Sequence, residues 1–227
     1  MMKHEKKLAL PKKNKDQLFV DNHRCIGITS CFTKIYENAT KRKEGTISQN
    51  QLQVGFTSGM TPLFAALALT EAICNARNTK QNLFVATMDA SKAFDRVRRP
   101  VMLFELYRKG VSREFWSIID DLYKDTTAHV VWNGESSQPF SIQEGTGQGR
   151  SLAGDLYKVN IDPALVQCVQ TGLGAHIGDV NICCPTCADD MLLLAYNPLE
   201  LQMLMNTLNL CNNRSQTGIN TDKSEIS

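Results

Sequence analysis

The 227-residue sequence is poor in several things. It has four histidines, His4, His23, His129 and His176, scattered without ligand spacing. Cys184-x-x-Cys187 is its single CxxC pair. A structural zinc site needs four ligands, so buried strand cysteines are the expectation for that pair. Long apolar runs are missing as well. Pro62–Leu69 and Met191–Ala195 fall far short of the roughly 18–20 residues that span a bilayer, so no membrane partner is expected. After the charged N-terminus only Leu8-Ala9-Leu10 follows, which is no signal-peptide core. The expectation is an intracellular protein, in nucleus or cytoplasm and not secreted. The eight cysteines then read as free thiols in a reducing compartment, and the sequons at Asn38 and Asn213 carry no information.

With 42% hydrophobic and 21% charged residues, what remains is an ordinary globular composition. The length suits one large domain or two small ones. The net charge of +2 hides an uneven distribution. Residues 1–50 hold 11 Lys and Arg against 5 Asp and Glu, a balance of +6; the rest holds 14 against 18, a balance of −4. A basic head on an acidic body suits a polyanion grip beside a carboxylate site. A solvated lysine tail is the other reading.

Along the chain, residues 1–16 read as a basic, flexible segment. Ile26, Ile28, Phe32, Ile35 and Tyr36 predict a short strand and then a helix, with Lys41–Glu44 a charged loop. Thr61-Pro62 predicts a helix start, threonine capping and proline at the first position. Leu83–Met88 reads as a buried strand stopping at Asp89. Ser112 is placed to cap a helix bearing Phe115, Trp116, Ile119 and Leu122. Asn133-Gly134, between Thr127–Trp132 and Gln138–Ile142, is a strong hairpin signal. Gly145, Gly147 and Gly149 form a flexible loop into a helix from about Ser151, which Pro163 is expected to end or kink. Cys183–Cys187 and Met191–Ala195 read as two strands with Asp189-Asp190 in the turn. A helix from Asn197-Pro198 and a last strand at Gly218–Asn220 follow. Without regular βαβ spacing, the fold class expected is α+β with an antiparallel sheet.

Two acidic positions matter because charge sits where an apolar strand ends. Adjacent carboxylates repel, and burying them without a partner is costly. A divalent cation with oxygen ligands relieves this. If the two strands are neighbours, Asp89 and Asp189 meet. Three carboxylates suit two metal ions about 3.5–4 Å apart, the arrangement used in phosphoryl transfer. The plainer alternatives stay open: Asp89 capping a helix from Ser91, and Asp189-Asp190 as a polar turn.

Met88-Asp89-Ala90-Ser91-Lys92-Ala93-Phe94-Asp95 resembles motif A of reverse transcriptases, and Ala188-Asp189-Asp190 resembles motif C. Gly145-Thr146-Gly147-Gln148-Gly149-Arg150-Ser151-Leu152 is similar to motif B, and Gly218–Glu225 to motif D. Pro11–Asp16 and Asn22–Ile26 resemble the leading fingers motifs, and Gln53-Val54-Gly55-Phe56-Thr57-Ser58-Gly59 the QxGF segment. The order is the family's, and the closest likeness is to non-LTR, LINE-type retrotransposons. The resemblance implies a polymerase palm with antiparallel sheet and packed helices, plus partial fingers. Residues 17–82 would be fingers-like and 83–227 palm-like.

It also implies roles. Asp89 and Asp189 would hold two Mg²⁺ ions (Mn²⁺ as substitute), with Asp190 supporting and the Ala90 carbonyl completing the shell. Phe94 would pack against the sugar as a steric gate, core packing being its alternative. Lys12 and Arg24 would hold the triphosphate, against a solvated basic surface. Gln148 and Gly149 would shape the floor beneath the nascent base pair, against an ordinary glycine-rich loop. Lys223 would assist the leaving pyrophosphate, against an exposed terminal lysine. The partners implied are an RNA template, a DNA primer and deoxynucleoside triphosphates.

Departures are visible. Gly147 stands where the family usually has arginine, and Arg150 where a small or apolar residue is usual. Primer grip and thumb are expected to be missing beyond Asp190, leaving weak, salt-dependent duplex binding and an exposed apolar face. The functions implied are an RNA-directed DNA polymerase domain of a retrotransposon or, as alternative, a catalytically silent nucleic-acid-binding remnant or truncated gene fragment of the same fold. An RNA-dependent RNA polymerase fits less well, given Ala188 before the Asp pair and the bulky Phe94.

Overall fold

In a computed structural model of the protein, residues 3–14, 16–215, 218–219 and 224–226 are described. Along the chain, β1 (His4–Pro11), β2 (His23–Ile28) and α1 (Cys31–Glu44) are followed by α2 (Pro62–Thr79), β3 (Phe84–Ser91), α3 (Arg99–Arg108), α4 (Arg113–Tyr123) and β4 (Thr127–Trp132). Then come the short β5 (Glu135–Ser136) and β6 (Phe140–Ser141), α5 (Ala153–Gln170), and two-residue β7 (His176–Ile177), β8 (Val180–Asn181) and β9 (Thr186–Cys187). β10 (Asp190–Ala195), α6 (Pro198–Ser215), β11 (Gly218–Ile219) and β12 (Glu225–Ile226) complete the order. The α+β class is as expected. Two compact units form, each from two separate stretches: Met1–Ile47 with Phe94–Leu156, and Ser48–Ala93 with Tyr157–Ser227.

The first unit is built on a sheet ordered β2-β1-β4-β5, with β6 also on β4. β1 pairs antiparallel with β2 and parallel with β4, from His4 opposite Thr127 to Leu8 opposite Val131. The expectation of a flexible segment through residue 16 therefore fails for His4–Pro11. Backbone pairing on both sides outweighs the weak strand preference of lysine. The Asn133-Gly134 hairpin is present, both residues left-handed at φ 48° and 86°, which matches the twist of the flanking strands. Ser112 caps α4 by accepting the Phe115 amide, and Phe115, Ile119, Leu122 and Tyr123 bury one face.

α1 departs from expectation in two ways. It runs through Lys41–Glu44 instead of ending in a loop there, and stops at Gly45, whose φ is 82°. Its buried face is also polar: Thr33, Glu37 and Thr40. Phe32, Ile35 and Tyr36 are 74%, 65% and 41% exposed. Apolar spacing chose the wrong face because Glu37 has a buried cationic partner, described below.

The second unit holds a sheet ordered β11-β3-β10-β9, antiparallel throughout, with β12 also on β3. β3 alternates: Ala86, Met88 and Ala90 are buried, while Thr87 is exposed and Asp89 half-buried. β10 is buried from Leu193 to Ala195. Ala72 of α2 packs with Ala175, Ile182 and Leu194, and Leu52, Leu69 and Val85 close around them. α5 continues through Pro163 to Gln170, so the proline does not end the helix. Its neighbours Ile161, Ala164 and Leu165 are buried, and that packing offsets the amide hydrogen bond proline cannot donate. Cys184 is buried and Cys187 half-buried, and the eight cysteines form no disulfide among the described residues. Among the described residues no helix is long and apolar enough to cross a membrane.

Candidate functional site

β3 and β10 are neighbours, as the carboxylate argument required. Asp89 lies opposite Asp190, Met88 opposite Met191 and Ala86 opposite Leu193. Opposed residues of an antiparallel pair share a face, so Asp89 and Asp190 stand on the same side of the sheet. Asp189 precedes β10 in the turn, and its carbonyl accepts the Ala90 amide at 3.3 Å. Asp89 and Asp189 are half-buried and Asp190 is exposed. β3 continues past Asp89 to Ser91, and no helix begins there, which removes the capping alternative for Asp89. Ala188, ahead of the acidic pair, is left-handed at φ 59°.

The three carboxylates act together on one neighbour, Tyr157, and two of them on Cys187. Burial raises the Tyr157 phenol above its ordinary value, and the charges of Asp189, Asp190 and Asp89 push it the same way. The Cys187 thiol is raised by burial and then by Asp190 and Asp189. Negative charge is thus concentrated at this end of β3 and β10. An all-oxygen donor set under such mutual repulsion suits a hard divalent cation. Among the described residues no three His, Cys, Asp or Glu side chains converge as a metal cage. The fit therefore lies in donor chemistry and charge.

The remaining predicted residues described belong to the first unit. Arg24 projects from β2, opposite Leu10, and is exposed; Lys12 follows β1, is exposed, and its amide donates to the Asn22 carbonyl. Phe94 is half-buried, and its carbonyl accepts the Thr146 amide at 2.9 Å, which ties the end of motif A to motif B. The Gln148 carbonyl accepts the Gly27 amide at 2.8 Å. Gly149 has φ 109°, and a Cβ there would lie 2.3 Å from the Gly27 carbonyl oxygen. Motif B is thus laced to the strand that carries Arg24. Lys223 and its neighbours Asn220–Asp222 lie outside the described residues.

Beneath that loop Arg150 is buried. Its Nε donates to Glu37 at 2.6 Å, its Nη1 lies 3.5 Å from Glu5, and its guanidinium sits 4.3 Å from the Tyr123 ring centre. Burial alone would lower the Arg150 pKa. Tyr123, Glu37 and Glu5 outweigh it, and the value ends above the ordinary one. A Cβ on Gly147 would meet the Arg150 side chain at 3.0 Å. The two motif B departures are therefore one rearrangement: the arginine fills the space beside a residue that has no side chain. Arg99 braces the start of the loop through the carbonyls of Tyr123, Ile142 and Gly145.

The family model described as reverse transcriptase (RNA-dependent DNA polymerase) matches residues 10–227. The chain belongs to the reverse transcriptase family. Relatives of this reverse transcriptase chain include the Retrovirus-related Pol polyprotein from type-1 retrotransposable element R2 of Popillia japonica, 28% identical across 82% of this chain and 27% of that protein. The Transposon TX1 uncharacterized 149 kDa protein of Xenopus laevis is 26% identical across 95% of this chain and 17% of its own length. The chain thus spans about a quarter or less of these curated relatives. Both names support a non-LTR reverse transcriptase domain. Telomerase from Candida tropicalis, solved with a fragment of telomeric RNA, superposes with a TM-score of 0.71 at 11% identity, over 100% of this chain and 41% of that one. At that identity the likeness is one of fold: the polymerase palm.

Sequence reasoning on this reverse transcriptase chain missed Glu5, Glu37, Gln53 and Tyr157. For Glu37 the one available signal was the unusual arginine at 150. Gln53 was noted only as part of a segment; its contacts are described below.

Proposed function

We propose that this chain is the polymerase core of an RNA-directed DNA polymerase, extending a DNA primer on an RNA template with deoxynucleoside triphosphates. The observation that carries the reading is the facing of Asp89 and Asp190 across β3 and β10, with Asp189 in the turn, in a member of this family. Asp89 and Asp189 hold two Mg²⁺ ions, with Asp190 and the Ala90 carbonyl in support. Such ions activate the primer hydroxyl and neutralise charge on the departing pyrophosphate. Arg24 and Lys12 bind the triphosphate, Arg24 as a fork and Lys12 as a point charge. Phe94 packs on the sugar and excludes a 2′-hydroxyl. Gln148 and Gly149 form the floor under the base pair, and Lys223 assists the leaving group. In this division of labour residues 17–82 are fingers-like and 83–227 palm-like. It is a division of function, while the compact units interleave the chain.

Primer extension on an RNA template with Mg²⁺ at low salt tests the reading, with Asp189→Ala as control. Extension by the wild type alone is expected. Equal incorporation by both proteins, or none by either, sinks the polymerase reading. Salt-dependent hybrid binding without extension would identify the silent remnant that the motif B rearrangement also suits.

A further inference from the structure

The QxGF segment lies against the turn that leads into the acidic pair, Asp189 in the turn and Asp190 opening β10, in the same compact unit. The Val54 amide donates to the Thr186 carbonyl and the Thr186 amide to the Leu52 carbonyl, each at 2.8 Å. Between these bonds the buried Gln53 side chain turns toward Ala188. Its Oε1 accepts the Ala188 amide at 3.0 Å and the Gly55 amide at 2.8 Å, and its Nε2 donates to the Ala188 carbonyl at 3.2 Å. One amide group thus reads both backbone groups of the residue before Asp189.

Ala188 sits at φ 59°, a conformation that a residue with a Cβ keeps only when its surroundings hold it. Gly55 allows the approach: a Cβ there would lie 2.2 Å from the Ala188 nitrogen. The segment is held from its far side too. Lys158 of α5 donates to the Phe56 carbonyl at 2.8 Å, and the Thr57 hydroxyl donates to the Gln53 carbonyl at 3.1 Å.

We propose that Gln53 is a positioning residue for the carboxylate turn. It holds Ala188 left-handed, and so fixes where Asp189 stands and where β10 begins at Asp190. Its bearing on metal binding rests on the polymerase reading above. Loss of an outer-shell partner typically weakens metal affinity about 10–100-fold.

The test uses Gln53→Met, close in shape but without the paired hydrogen bonds, and the gentler Gln53→Asn, too short to reach. Mn²⁺ binding is titrated by electron paramagnetic resonance, Ala188 amide exchange is followed by NMR, and melting confirms the fold. We expect faster Ala188 exchange and a Mn²⁺ dissociation constant raised about tenfold. Primer-extension kcat falls at low Mg²⁺ and recovers at high Mg²⁺, with the nucleotide KM unchanged. Adding Ala188→Gly restores part of the Mn²⁺ affinity, because glycine adopts positive φ unaided; a merely structural role predicts no such rescue. Any folded Gln53 variant with wild-type Mn²⁺ affinity overturns the proposal, as does a wild type that binds no Mn²⁺. A wild type that binds Mn²⁺ but extends nothing sinks the polymerase reading and leaves the positioning role standing.

Discussion

The Arg150 Nε donates to Glu37 at 2.6 Å, with both side chains shut away from solvent. The bond joins the motif B loop to α1, and it stands where the family usually has no arginine. Removing one member of a buried pair strands the other's charge and typically costs about 3–5 kcal/mol. Arg150→Met is therefore expected to destabilise strongly, since it strands both Glu37 and Glu5. Arg150→Met with Glu37→Met is expected to recover only the part of that loss due to Glu37, because Glu5 keeps a buried, unpartnered charge. Denaturant unfolding of the two singles and the double gives the coupling. A single variant no worse than a surface substitution would refute the arrangement.

Gly149→Ala tests the close approach of motif B to β2. The added Cβ would lie 2.3 Å from the Gly27 carbonyl oxygen, and φ 109° is disfavoured for alanine in any case. Backbone strain of this kind costs about 1–3 kcal/mol, and Gly27 must also shift. A clear drop in Tm is expected. Gly134→Ala has open space around its Cβ and a positive φ of 86°, and should cost less.

Tyr123 makes stability sensitive to alkali. Burial, the largest influence, raises its phenol above the ordinary value of about 10, and its hydroxyl donates to the Thr146 carbonyl at 2.9 Å. A folded-state pKa above the unfolded one gives stability that is complete below about pH 10 and is lost as pH rises through the folded value. The slope in that window is about 1.4 kcal/mol per pH unit for one group. Tyr123→Phe should lower stability at neutral pH by removing the hydrogen bond, and should flatten the decline above pH 10. Melting curves from pH 7 to 11 read both effects. A decline of unchanged steepness in the variant would assign the alkaline loss to other groups.

Ser112 supplies a smaller, local effect. Its hydroxyl accepts the Phe115 amide at 3.1 Å, and its amide donates to Glu44 at 2.8 Å. Ser112→Ala should cost about 1 kcal/mol, the usual worth of an N-cap. Ser112→Asp should retain most of the cap but place a second carboxylate beside Glu44. Thermal unfolding distinguishes the two.

What was legible in the sequence was whatever depends on neighbours in the chain. The Ser112 cap, the Asn133-Gly134 turn and the Thr61-Pro62 helix start are local chemistry, and all three stand where they were read. Thr61 nonetheless makes no side-chain cap bond, so position was readable and hydrogen bonding was not. The pairing of β3 with β10 entered only as the condition under which the acidic residues would meet; charge at the two strand ends raised the question, and the structure supplies the pairing. The failures share a cause. β1 is a strand because β4, more than a hundred residues on, pairs with it. Glu37 turns inward because Arg150 waits there. Pro163 stays helical because its neighbours are buried. For β1 and Glu37 the answer lay in residues far along the chain, and for Pro163 in how deeply its neighbours are buried, about which spacing and propensity carry no information.

The interleaving of the two units bears on how the protein is made. A ribosome releases residues 1–47 long before residues 94–156, so β1 emerges without β4 and waits through the synthesis of α2, β3, α3 and α4. The second unit waits in turn for β10 to cover β3. Neither unit closes early, and the pairings that close them are distant in sequence, which slows folding and prolongs exposure of bare strand edges. Nascent chains held by a chaperone until the last third has been translated should therefore yield more native protein than chains released unattended.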